Sequence, residues 1–90
     1  MFNDLLAVAR RVVWFQNPEE TLKDEEFFLA YLMTYGTLED VITAKKYYSD
    51  KLFLKTLKHA PPGVFDARSW SYWNTVFNRT PIPSMPHRKL

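Results

Sequence analysis

Apolar residues return every three or four positions through most of this chain, the spacing of short amphipathic helices. Phe2, Leu5, Leu6, Ala9, Val12 and Val13 predict a helix over residues 3–15. Val8, Trp14 and Phe15 widen its apolar surface beyond one stripe, so either two neighbouring elements cover it or part of it is a contact surface. Asn17-Pro18-Glu19-Glu20 is a helix start: Asn caps, Pro at the first helical position loses no hydrogen bond, and the glutamates suit the positive helix end. This short helix ends near Lys23, and Asp24 caps another. There Phe27, Phe28, Tyr31, Leu32 and Tyr35 share a face, which predicts the central helix of the fold.

The next stretch reads as a helix stop followed at once by a helix start. Gly36 suits the left-handed residue that ends many helices. Thr37 then caps the following helix, with Asp40 at the capping-box position where Glu or Gln is usual. Leu38, Val41, Ile42 and Tyr48 are expected to face inward on a helix ending near Tyr48. Ser49-Asp50 caps a helix over residues 51–59, with Phe53, Leu54 and Leu57 inward and Lys51, Lys55 and Lys58 forming a basic ridge opposite. Ala60-Pro61-Pro62-Gly63 stops it. Val64-Phe65 reads as a hydrophobic staple and Asp66 as the cap of a helix from Ala67. Trp70, Trp73, Val76 and Phe77 share its inner face, while Arg68, Ser71, Thr75 and Arg79 look outward. From Thr80 onward, Pro81, Pro83 and Pro86 forbid helix and favour an extended conformation. The expected fold is all-α: a compact bundle of about five short helices over residues 1–79, with a proline-rich basic tail over residues 80–90.

Ninety residues make one small domain, and fifteen aromatic side chains give it ample core material. The chain has no cysteine, which removes disulfides and thiolate chemistry and points to a reducing cytoplasm. No apolar run is long enough to span a membrane. Asp4 ahead of an apolar stretch interrupted by Arg10 and Arg11 is the wrong charge order for a signal peptide. Net charge is only +2, yet residues 1–44 carry three basic against eight acidic groups, and residues 45–90 nine against two. Such asymmetry points either to an anionic partner for the second half or to pairing of the two halves within the fold.

Catalytic chemistry is hard to place. Two isolated glycines build no phosphate loop, and His59 and His87 have no second ligand at metal spacing. No serine sits in a nucleophile elbow. The acidic cluster Glu19, Glu20, Asp24, Glu25 and Glu26 sits in first helical turns, where it complements the dipole. Pro83-Ser84-Met85-Pro86 has PxxP spacing, and Asn78-Arg79-Thr80 is a formal glycosylation sequon; both patterns are common. The expectation is a binding module rather than an enzyme, with no cofactor and no metal. The candidate partner or anion contacts are Lys51, Lys55, Lys58, Arg68 and Arg79, with Ile82, Met85, His87, Arg88 and Lys89 on the tail. The tail either binds back across its own domain or reaches into a partner.

The run from Phe28 through Tyr35-Gly36-Thr37-Leu38-Glu39-Asp40 resembles a segment of a family of small helical bacterial proteins. Lys46-Tyr47-Tyr48-Ser49-Asp50, Pro61-Pro62-Gly63-Val64-Phe65-Asp66-Ala67-Arg68-Ser69-Trp70 and Trp73 extend the likeness, which covers residues 14–90. Such proteins are encoded beside nucleotidyltransferase-like toxins of the abortive-infection type. The resemblance therefore implies an antitoxin-like regulator that binds and restrains a partner enzyme; the basic tail from Arg79 to Leu90 is the inserting element expected from its own composition. The alternative is a helix-turn-helix DNA-binding protein built from residues 38–48 and 51–59, its lysine ridge along a groove. That helix offers lysines but no Arg, Asn or Gln for base edges. A homodimer using the excess aromatics of the first helix is a third reading.

Overall fold

The computed structural model describes residues 3–86. Six α-helices follow one another with short connections: α1 Asn3–Val12, α2 Pro18–Lys23, α3 Glu25–Tyr35, α4 Leu38–Lys45, α5 Asp50–Lys58 and α6 Ala67–Val76. The expected caps are in place. Asn17, Asp24, Ser49 and Asp66 each accept a backbone N–H from the first turn of the helix that follows. Thr37 and Asp40 form a complete reciprocal capping box. Phe65, just before the Asp66 cap, meets Trp70 with ring centroids 5.5 Å apart, the staple that sets the entry of α6.

α3 is the central helix and packs against all five others. Phe28, Leu29, Ala30, Leu32 and Met33 are all buried on it, joined by Leu5, Val8, Ala9 and Val12 from α1 and Val13 just after it, Phe53 and Leu57 from α5, and Trp70 and Trp73 from α6. Burial nearly all round is what a helix surrounded by five neighbours requires. The predicted face is thereby redrawn: Phe28 and Leu32 are core, but Phe27 and Tyr31 are half-buried and Tyr35 is exposed.

Gly36 does not take the left-handed conformation; its backbone is extended, at φ −74° and ψ 156°. The carbonyls at the end of α3 find partners elsewhere. Trp73 donates its indole N–H to the Met33 carbonyl at 2.9 Å, and the Ser69 hydroxyl donates to that of Thr34 at 3.4 Å. With α6 satisfying them, no left-handed cap is needed. Glycine is required for a different reason: a Cβ there would lie 2.6 Å from the Leu32 carbonyl oxygen. The left-handed glycine is Gly63, at φ 82°, beyond α5.

Three other expectations change, the first on α6, where Val76 is exposed rather than on the inner face with Trp70 and Trp73. α1 ends at Val12, and residues 13–16 form turns, so Trp14 and Phe15 leave the helix and stand exposed. On α4, Leu38 and Ile42 face solvent at 73% and 59% exposure, because α4 turns Asp40 and Ala44 to its neighbours instead. The tail, as far as Pro86, folds back on the domain. The Trp70 indole N–H donates to the Pro83 carbonyl at 2.7 Å, and Met85 packs against the core.

Candidate functional site

Three rings that polar solvent would ordinarily drive inside remain more than half exposed together: Trp14 and Phe15 from the turn after α1, and Tyr35 from the end of α3. With half-buried Tyr31 they form a closed circuit. Trp14 lies 5.4 Å from Phe15 and 6.0 Å from Tyr35, and Tyr31 lies 5.6 Å from Phe15 and 5.8 Å from Tyr35. Phe27 extends the row at 4.9 Å from Tyr31. Phe27, Tyr31 and Tyr35 recur every fourth residue, so one edge of α3 carries the row while its other sides build the core. The T-shaped pairings are favourable ring geometries, worth about 0.5–1.5 kcal/mol each beyond area burial, which helps hold the patch in one shape.

On another side of the α3–α4 joint lies a groove of about 280 Å³ between α4 and α6. Met33, Val41 and Trp73 line it with Leu38 and Tyr72, and Thr37 and Arg68 stand among the lining residues. The joint itself is fixed by charge. Arg11 donates from both terminal nitrogens to Asp40, at 2.6 and 2.9 Å, and Asp40 also accepts the Thr37 N–H at 3.0 Å. The hydrogen bonds from Arg11, followed by those from Thr37, hold this buried carboxyl below the ordinary carboxylate range against the opposing effect of burial.

The basic residues singled out from sequence are only partly assembled. Lys51, Lys55 and Lys58 are all exposed on one face of α5. Lys55 faces Glu26 at 3.7 Å, and His59 lies 3.3 Å from the same carboxylate. Lys46 meets Asp4 at 2.7 Å. The two halves of the chain thus neutralise each other at several points, and Lys51 and Lys58 are left without an ion pair among the described residues. Arg68 is exposed at the groove. Arg79 is half-buried rather than outward, with one guanidinium nitrogen enclosed and without a hydrogen-bond acceptor among the described residues. Ile82 is exposed, Met85 is packed on the core, and His87, Arg88 and Lys89 lie outside the described residues.

Sequence reasoning missed the aromatic circuit as a surface. Its signal was the excess apolar width around Trp14 and Phe15, which base rates assign to coverage by neighbouring elements more often than to a contact surface. The groove left no signal, because the apolar Leu38 and Ile42 of α4 read as its inward face while Asp40 and Ala44 are the residues that are buried. Among the described residues, no group of three His, Asp or Glu side chains is placed to hold a metal ion, and no helix is long and apolar enough to cross a membrane. No family model, curated protein or solved structure matches the chain.

Proposed function

We propose that this protein is a binding module that docks another protein through the aromatic surface of Trp14, Phe15, Tyr31 and Tyr35, and that the partner is an enzyme it restrains. The observation that carries the reading is the closed circuit of four rings, three of them more than half exposed. Tryptophan and tyrosine dominate protein–protein hot spots because they bury large areas at little conformational cost. A nucleotidyltransferase-type toxin is the partner class implied by the resemblance of residues 14–90. Binding by the folded surface fits better than insertion of the whole tail, since residues 80–86 lie along their own domain.

The helix-turn-helix reading draws less support. α4 packs mainly on α1 and α3, while α5 lies against α3, and one of the three ridge lysines is held by Glu26.

The test is affinity co-purification of tagged wild-type protein and a Trp14→Ala, Tyr35→Ala double variant, at about 150 mM salt with and without nuclease. A nucleotidyltransferase recovered in near-equal amount with wild type, resistant to nuclease and lost with the variant, supports the proposal. Nucleic acid recovered equally with both proteins would replace it with the DNA-binding reading. Wild-type protein recovered only as its own dimer would leave the homodimer.

A further inference from the structure

Helices α4 and α6 both pack on α3, and the trough between them stays open. Leu38 on α4 and Tyr72 on α6 stand on its two walls, and one turn further along the same helices Ile42 and Val76 continue each apolar row; all four are exposed. Met33, Val41 and Trp73 line the trough between them. Two such rows flanking an apolar trough match the face of an amphipathic helix, whose anchors recur at i, i+4 and i+7. The volume of about 280 Å³ is just below the range of about 300–1,000 Å³ usual for small-molecule sites, so it suits anchoring side chains better than a whole ligand.

The charge around the trough selects the occupant. Among the described residues, no carboxylate lines it. Arg68 sits one turn before Tyr72 in the same row, is exposed, and makes no ion pair among the described residues. We infer that this groove receives an acidic amphipathic helix from a protein partner, with apolar side chains between Leu38 and Tyr72 and a carboxylate against Arg68. The inference rests on the reading of the protein as a protein-binding module and gives it a second contact with its own chemistry.

The probes are two alanine-based peptides of about 16 residues, long enough for measurable helicity. Both carry leucines at i, i+4 and i+7; one has flanking glutamates and the other lysines in their place. Binding is read by fluorescence anisotropy and by amide shifts in labelled protein. The glutamate peptide should bind about threefold or more tightly than the lysine peptide and shift Leu38, Val41 and Tyr72. Arg68→Glu should reverse that preference, and Leu38→Asp should weaken both peptides about tenfold or more. Both substitutions lie on exposed side chains, and circular dichroism checks that the helices persist. Trp14→Ala should leave peptide binding unchanged, which separates failure of the groove from failure of the aromatic surface. Absence of binding up to about 1 mM, equal binding of the two peptides, shifts confined to other residues, or a preference unmoved by Arg68→Glu would each overturn the assignment. Self-association abolished by Leu38→Asp would overturn it in favour of a second copy of this chain.

Discussion

Arg11 closes a two-pronged hydrogen bond on Asp40, at 2.6 and 2.9 Å, and so ties α1 to the first turn of α4. The contact does more than pair two charges. Asp40 also completes the capping box with Thr37, so one buried carboxylate ends the α3–α4 connection and fixes it to a third helix. Both candidate surfaces are built around this joint: Tyr35 lies immediately before it, and Leu38 immediately after.

Arg11→Ala should destabilise the fold by about 1–3 kcal/mol near neutral pH, because Asp40 keeps its burial and loses its cation. The pH dependence has a definite sign. The folded-state pKa of Asp40 is lowered, chiefly by Arg11, so its stabilisation is present above the unfolded value of about 3.9 and is lost as pH falls through the folded value. Urea unfolding of wild type and variant from about pH 7 down to about pH 2 should show the stability gap narrowing at the acid end. A constant gap would mean that Arg11 acts through packing alone.

Gly36→Ala and Gly63→Ala should both destabilise, for different reasons. At Gly36 the added Cβ meets the Leu32 carbonyl oxygen at 2.6 Å, an overpacking cost of about 1–3 kcal/mol. At Gly63 the penalty is the left-handed backbone at φ 82°, about 1–2 kcal/mol. Asparagine tolerates that conformation, so Gly63→Asn should recover stability relative to Gly63→Ala. Gly36→Asn should recover none, since any Cβ clashes. Denaturant midpoints of the four variants decide this, and rescue at both positions would refute the close-approach account.

These positions show what a sequence can reveal and what it cannot. Asn17, Asp24, Thr37, Ser49 and Asp66 were readable as caps because capping is settled within four residues. The conformation of Gly36 was not, because its reason lies in Trp73 and Ser69, more than thirty residues away, which take over the carbonyls at the end of α3. Leu38 and Ile42 have the periodicity of a buried face and are exposed, since α4 is oriented by the Arg11–Asp40 pair rather than by its apolar stripe. Charge pairing between the two halves was one of two readings of the same asymmetry, and only the placement of Asp4 and Glu26 beside Lys46 and Lys55 distinguishes them.

Asp4 provides a second titration marker, at the surface. Its carboxyl accepts hydrogen bonds from Lys46 at 2.7 Å and from the Tyr47 hydroxyl at 2.6 Å, and these, Lys46 first, lower its pKa from 3.8 to about 2. Its contribution to stability is therefore present above about pH 4 and disappears as pH falls towards 2. Lys46→Met should raise the Asp4 pKa towards the ordinary value while leaving the helices intact. Carboxyl chemical shifts followed against pH report it directly, and an unchanged midpoint would remove Lys46 as the leading cause.

The docked part of the tail should contribute to the fold. Trp70→Phe keeps an aromatic ring but loses part of the buried indole and the 2.7 Å hydrogen bond to the Pro83 carbonyl, the bond alone being worth about 0.5–1.5 kcal/mol. Truncation after Thr80 should cost more, because it also removes Met85 from the core. If truncation leaves the unfolding midpoint unchanged, residues 80–86 contribute nothing to stability and the tail is free to serve as the inserting element.

Trp14 and Trp73 should separate function from stability. Trp73 is buried, donates to the Met33 carbonyl at 2.9 Å, packs at a tilt on Phe53 and stacks on Phe77, so Trp73→Ala should cost about 3–5 kcal/mol and threaten the fold itself. Trp14 is 67% exposed, and its replacement by alanine loses ring contacts to Phe15 and Tyr35 worth under about 1.5 kcal/mol each. In partner binding the order should invert for the folded variants: Trp14→Ala costs a hot-spot amount of about 2 kcal/mol or more, roughly thirtyfold in affinity. Melting curves and partner titrations on the same samples test both halves. A Trp14→Ala protein that binds its partner as wild type does would show that the circuit holds its shape for some purpose other than docking.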